Sequence, residues 1–183
     1  MMSNIYLGLV HYPVINKFNE TVTTSITNLD IHDISRSCCT FGVKKFFVIS
    51  PLMTQKELLS RILDFWKTDL AIKFNPFRVE ALRLVKFVDS IRSAQEYIKK
   101  QEEISSLTIT TSATKQKSIL KFSEYGNIDK PVLLLFGTGN GLSREVHELA
   151  DFVLEPITGS GEYNHLSVRS AVAIVLDRLT SEK

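Results

Sequence analysis

Phe136-Gly137-Thr138-Gly139-Asn140-Gly141-Leu142 carries a glycine at every second position, directly after the apolar run 132–136 and directly before the helical pattern of 143–150. A strand that ends in a glycine-rich turn and re-enters as a helix is the place in an α/β protein where backbone approaches a ligand closely. The Gly-Lys-Ser/Thr ending of a P-loop is absent, and the glycine spacing is not the dinucleotide fingerprint. A nucleotide-like ligand and a plain tight turn both fit the segment taken alone.

Working outward, short apolar segments rich in Val, Ile, Phe or Thr recur at Ile5–Val10, 45–50, 85–89, 107–111, 132–136 and 152–157, and each reads as a strand. Helical patterns alternate with most of them. Ile31, Ile34, Cys38 and Phe41 share one helical face, and Gly42 stops that helix. Thr54-Gln55-Lys56-Glu57 and Ser93-Ala94-Gln95-Glu96 match capping boxes and predict helix starts there. Leu58, Leu59, Ile62, Leu63 and Trp66 form the stripe behind the first box, and a further helix is expected near 118–125. In the last helix Val168, Ala171, Val172, Val175, Leu176 and Leu179 fall on one face, while Ala173 and Ile174 widen it toward a second partner surface. Strands alternating with helices predict an α/β fold, a mostly parallel sheet with helices on both faces. Residues 12–28 have no period. A loop of that length is either a lid over a ligand or a surface excursion.

A length of 183 residues predicts a single domain over 1–183, and 44% hydrophobic with 23% charged residues excludes a disordered or collagen-like chain. The net charge of +2 excludes a broadly basic nucleic-acid coat but not a local basic patch such as Lys115, Lys117 and Lys121. Cys38 and Cys39 are adjacent, so neither a structural disulfide between them nor a zinc site is expected, and a reducing, cytoplasmic setting fits. His11, His32 and His147 do not form a metal set by spacing. The longest apolar run, 171–176, is far short of the ~20 residues that span a bilayer, and no secretory leader is seen, so no membrane role is expected.

A second polar cluster begins at Leu154-Glu155-Pro156-Ile157 and continues through Asn164-His165-Leu166-Ser167-Val168-Arg169-Ser170 into the last helix. Free backbone donors at that helix entrance suit an anion, with Asn164 or Ser167 as cap and Arg169 as its counter-ion; capping and a surface ion pair alone explain the same residues.

These two clusters, with Asn28-Leu29-Asp30-Ile31-His32-Asp33-Ile34-Ser35-Arg36 and Phe41-Gly42-Val43, resemble in order and spacing the three motifs of SPOUT-superfamily RNA methyltransferases. The resemblance covers essentially the whole chain. It is nearest to the stand-alone family of S-adenosylmethionine-dependent RNA methyltransferases related to the tRNA guanine methyltransferases. Its most specific stretches are Leu7-Gly8-Leu9-Val10-His11-Tyr12-Pro13, Leu134-Leu135-Phe136-Gly137-Thr138-Gly139 and Tyr163-Asn164-His165-Leu166-Ser167-Val168-Arg169-Ser170-Ala171. The resemblance implies a deep C-terminal trefoil knot, S-adenosyl-L-methionine bent among the knot loops, a homodimer, and tRNA or rRNA as substrate.

Carried over residue by residue, it assigns cofactor contact to three loops. The first is Thr111, Ser112 and Ala113, and the second is Phe136, Gly137, Thr138, Gly139 and Gly141. The third is Leu154, Glu155, Pro156 and Ile157 together with Asn164, His165, Leu166 and Val168. Arg36 matches the arginine of the ribose-methylating branch, which contacts RNA phosphate or assists the attacking hydroxyl. That branch has Asn where this chain has Asp30, a longer Glu-containing second motif, and usually Asn at the place of Ser167, so base and ribose methylation both stay open.

Methyl transfer is an in-line displacement that needs alignment and, at most, removal of a proton. Asp30 or His165 is then the candidate base, and Arg36 and Arg169 the candidates for holding phosphate or developing negative charge. Each has a structural alternative: Asp30 as a helix cap, His165 as a loop hydrogen-bonder, the arginines as ion-pair partners. At the level of function, a non-catalytic RNA-binding or ribosome-assembly module on the same fold competes with the enzyme, while a dinucleotide oxidoreductase lacks its fingerprint.

Overall fold

The computed structural model describes residues 4–114, 119–161 and 163–181. A seven-stranded sheet runs in the order β5-β4-β1-β8-β6-β9-β7. Its strands are β1 (Ile5–Val10), β4 (Lys45–Ile49), β5 (Val85–Val88), β6 (Leu107–Thr110), β7 (Ile119–Leu120), β8 (Val132–Gly137) and β9 (Phe152–Leu154). All its pairings are parallel. The central strands β1 and β8 are apolar and buried almost throughout, as expected of strands covered on both faces. On one face Ile5, Leu7 and Leu9 pack with Ile31, Ile34 and Cys38 of α1 (Asn28–Thr40) and with Val172, Val175 and Leu176 of α7 (Val168–Thr180). On the other, Tyr6 and Val10 pack with Ala94 and Ile98 of α5 (Ile91–Glu102) and with Val146 of α6 (Arg144–Glu148).

The helix of Ile31, Ile34 and Cys38 starts at Thr27, whose side chain accepts a hydrogen bond from the Asp30 N–H. It ends where Gly42 takes φ +68°, a conformation that costs a residue with a Cβ about 1–2 kcal/mol. The sequence pattern misplaces two other helix starts. α2 (Met53–Phe65) begins at Leu52 with no side-chain cap, which puts Thr54 inside the first turn. α5 is capped by Ser90, whose hydroxyl oxygen accepts from the N–H of Ser93, so the second box lies one turn too late. In both, the true boundary is set by the end of the preceding strand. The helix expected near 118–125 is instead the short strand β7 followed by a 3-10 helix, Phe122–Asn127, and residue 118 itself lies outside the described residues. Two short helices, α3 (Asp69–Phe74) and α4 (Pro76–Leu82), are additions to the pattern, capped by Thr68 and Asn75. The aperiodic residues 12–28 hold a small hairpin of β2 (Val14–Ile15) and β3 (Thr21–Val22).

Because the strands are parallel, the C-terminal ends of β1, β8, β6 and β9 lie at one edge, the usual place for a ligand in an open α/β sheet. β9 sits between β6 and β7, two strands that are consecutive in the sheet's chain order. No helix among the described residues is long and apolar enough to cross a membrane.

Candidate cofactor and substrate cleft

At that edge opens a cleft of about 1420 Å³. Its floor is the glycine loop after β8. Gly139 and Gly141 adopt φ +61° and +114°, so the alternating glycines serve a left-handed turn. The loop is fixed by Gly141 N–H donating to Thr138 O (3.1 Å) and by the hairpin: Asn140 N–H donates to Ile15 O and Ile15 N–H to Gly141 O, each at 3.0 Å. Residues 12–28 therefore form a wall of the cleft, through Ile15, Thr24, Ser25 and Thr27. Among the described residues the Gly139 N–H has no partner and is free for a ligand.

Beneath the wall lies His11, fully buried. Thr138 Oγ1 donates to Val10 O (3.0 Å), so its bond with Thr24 is one it accepts; the Thr24 hydroxyl has then spent its proton and must accept from His11 Nδ1 (3.1 Å). This leaves Nε2 an acceptor, buried and without a partner among the described residues. Burial holds the imidazole down at about 4, against the opposing charge of Asp30. A histidine kept neutral in the fold stabilises above its ordinary value near 6.5 and loses that stabilisation as pH falls toward 4. The loss is on the order of 3 kcal/mol. Urea unfolding at pH 7 and pH 4.5 should show His11→Gln losing correspondingly less stability than the parent; equal losses contradict the buried neutral imidazole.

The other walls are the loop after β6 and the chain from β9 into α7. Thr111 donates through both its N–H and its hydroxyl to Leu135 O (3.0 Å each), fixing the first loop to β8. Asn164 Nδ2 donates to Ala113 O (3.1 Å), joining the third loop to the first. One oxygen of the Glu155 carboxylate accepts from the Phe122 N–H (2.6 Å), which ties this wall to the 3-10 helix. Ser167, not Asn164, caps α7, accepting from Ser170 N–H (3.3 Å). The N–H groups of Leu166 and Val168 have no partner among the described residues. Of the expected cofactor residues, Thr111, Ser112, Ala113, Phe136, Gly137, Thr138, Gly139, Gly141, Leu154, Glu155, Ile157, Asn164, His165, Leu166 and Val168 all line the cleft; Pro156 alone does not.

Among the four candidate catalytic residues, Asp30 and His165 line the cleft. Asp30 is engaged on both oxygens, by the Thr27 hydroxyl (2.6 Å) and by Arg169 Nε (3.4 Å). Arg169 also reaches Asp33 (3.3 Å), so it ties α7 to α1. His165 is exposed, packs edge-on against Tyr163 at 5.3 Å, and has no hydrogen bond to its ring nitrogens among the described residues. Arg36 does not line this cleft but a second groove, between α1 and α4. Lys115 and Lys117 lie outside the described residues. His147 was not expected at the site; it lines the cleft with Nδ1 at 2.9 Å from Thr110 Oγ1, and burial lowers its proton affinity. No three His, Cys, Asp or Glu side chains gather as a metal set among the described residues.

Residues 4–181 match the family described as SAM-dependent RNA methyltransferase. The chain belongs to that family. Within it, this S-adenosylmethionine-dependent RNA methyltransferase family member is 44% identical over 180 residues to a tRNA (guanine-N(1)-)-methyltransferase of Nitratidesulfovibrio vulgaris, covering 98% of this chain and 42% of that protein. The chain thus spans less than half of that curated relative. It is 35% identical over 182 residues to an uncharacterized protein of Aquifex aeolicus, covering 97% of this chain and 89% of that one. In fold it is similar to the SpoU methyltransferase AviRb from Streptomyces viridochromogenes, solved in complex with AdoMet: TM-score 0.56, 16% identity, 97% of this chain and 57% of that one. The family member thus has the SpoU-type fold read from its motifs.

The residues present fit a nucleoside-sized cofactor. The N–H groups of Gly139, Leu166 and Val168, unpaired among the described residues, supply donors, and Phe136, Leu154, Ile157 and Leu166 supply apolar surface, in a cleft roomier than the ~300–1,000 Å³ of common small-molecule pockets. The excess leaves room for a second reactant.

Proposed function

We propose that the protein transfers a methyl group from S-adenosylmethionine to a nucleotide of tRNA or rRNA in this cleft, as a homodimer. The convergence of all three motif loops on one cleft carries this reading. When bound, S-adenosylmethionine supplies a methyl group activated by its sulfonium. Gly139, Leu166 and Val168 bind it through backbone N–H groups, with Thr111 and Asn164 holding the surrounding loops in place. His165 takes the proton from the acceptor: its ring nitrogens have no hydrogen bond among the described residues, whereas both Asp30 oxygens are occupied. Asp30 and Arg169 act by positioning α7 against α1. Arg36, which lines the groove between α1 and α4 and not the cleft, holds RNA phosphate.

The knot belongs to the same proposal, supported by the position of β9 between β6 and β7. The half-buried Ala173 and Ile174 on α7 support a dimer surface. Isothermal titration with S-adenosylmethionine is the first test. Saturable one-to-one binding per chain is expected, and no binding by folded protein contradicts the proposal.

A further inference from the structure

The groove between α1 and α4, of about 460 Å³, is lined by Arg36, Thr40, Asn75, Phe77, Arg78 and Glu80 among others. The Arg78 guanidinium lies 5.2 Å over the ring of Trp66, and the same ring receives the edge of His32 at 5.3 Å. Trp66 thus fixes the fork of Arg78 in one orientation. Of the two side chains packed on Trp66, Arg78 Nε in the groove and His32 Nδ1 behind it are buried polar atoms without a partner among the described residues. Neither Arg36 nor Arg78 has a carboxylate within ion-pair distance among the described residues. Among the lining residues these two guanidinium groups stand against one carboxylate, that of Glu80, which leaves the lining net cationic. Burial first, then the charges of Arg78 and Arg36, hold the His32 imidazole below its ordinary value, with Asp33 opposing.

A cationic groove that leaves a buried donor unsatisfied asks for an anion. Its rim adds a second requirement. Phe77, which lines the groove with the two guanidinium groups, is 79% exposed, a flat apolar ring presented to solvent. Unpaired nucleotides combine a phosphate with an open π-face, whereas a duplex hides its base faces. A protein partner would have to bring a carboxylate to the cations and separate apolar surface to the ring, whereas one unpaired nucleotide supplies both. Arg36 stands six residues after Asp30 on α1, so the groove begins about 9 Å from the cleft along that helix.

We propose that the α1–α4 groove is a binding site for an unpaired RNA nucleotide, its phosphate held between Arg78 and Arg36 and its base stacked on Phe77. The proposal rests on the RNA methyltransferase reading and narrows it: the substrate is gripped at single-stranded residues flanking the methylated one.

Fluorescence anisotropy tests it, with a short fluorescein-labelled oligouridylate and a duplex of equal length, alongside titration with S-adenosylmethionine. The full chain is expected to prefer the oligouridylate. Phe77→Ala should weaken that binding about tenfold, and Arg78→Gln should reduce the salt dependence by about one counter-ion. Both variants should keep the parent's affinity for S-adenosylmethionine, which shows that they are folded. Parent-like oligouridylate binding and salt slope in both variants would overturn the proposal. So would a change in sedimentation mass in Phe77→Ala, which would make the face a protein interface. If the groove variants behave as the parent while the parent methylates RNA, only the groove assignment falls; if the parent neither binds nor methylates RNA, both readings fall.

Discussion

Gly137→Ala is expected to weaken S-adenosylmethionine binding by at least about 100-fold while leaving the chain folded. A Cβ at this position would stand 2.5 Å from Leu142 N, 2.7 Å from Gly141 C and 3.0 Å from Gly141 Cα. These are backbone atoms of the returning loop, so no rotamer change relieves the overlap, and the loop itself must open. Opening it strains the Gly141–Thr138 bond and the two bonds to Ile15, and with them the hairpin wall. A displacement of about 1 Å in a preorganised site is enough for losses of 100-fold. Gly126→Ala serves as control, because a Cβ there meets nothing within 4 Å. Circular dichroism should show a native spectrum for both variants. Parent-like affinity in Gly137→Ala would contradict the assignment of this loop to the cofactor.

His165→Asn is expected to lower methyl transfer by about 10²–10⁴-fold, the usual contribution of a general base, with cofactor affinity within about threefold of the parent. His165 is exposed on the third loop, with its ring edge-on to Tyr163, so its loss removes little folding energy. Asp30→Asn makes the complementary variant. The amide keeps the shape but weakens the tie to Arg169, so a smaller fall in turnover and a lower thermal midpoint are expected. Full turnover in His165→Asn together with abolished turnover in Asp30→Asn would reverse the two roles.

The parallel sheet was legible in the sequence because it depends on short-range signals, whereas the three loops were singled out by the family resemblance, and the fold brings them to one cleft. Val132 to Gly137 is an uninterrupted apolar strand, and the alternating glycines after it announce a turn that only they can make. Helix starts were less legible. Ser93 and Thr54 offer capping chemistry, but the chain is already committed to helix before each of them by the strand ends at Val88 and Ile49. The roles of charged residues were the hardest to read, since they depend on tertiary neighbours. Nothing local to Arg169 shows that it meets Asp30 and Asp33, more than a hundred residues earlier, and nothing local to Arg36 shows that it lines a groove with Arg78. His147 and Thr24 enter the site only because the hairpin and α6 fold over the same strand ends.

The near-neutral charge of +2 is consistent with RNA held by a few placed cations rather than by a general field. Everything proposed for the cleft turns on methyl transfer itself. Incubation of the purified chain with methyl-labelled S-adenosylmethionine and total RNA from a strain lacking the protein tests it most directly, with digestion and nucleoside mass spectrometry as readout. One methylated nucleoside, formed with the parent and lost with His165→Asn, is the predicted result. RNA that stays unlabelled in the presence of folded, cofactor-bound protein would contradict the account and favour a binding module on the same fold.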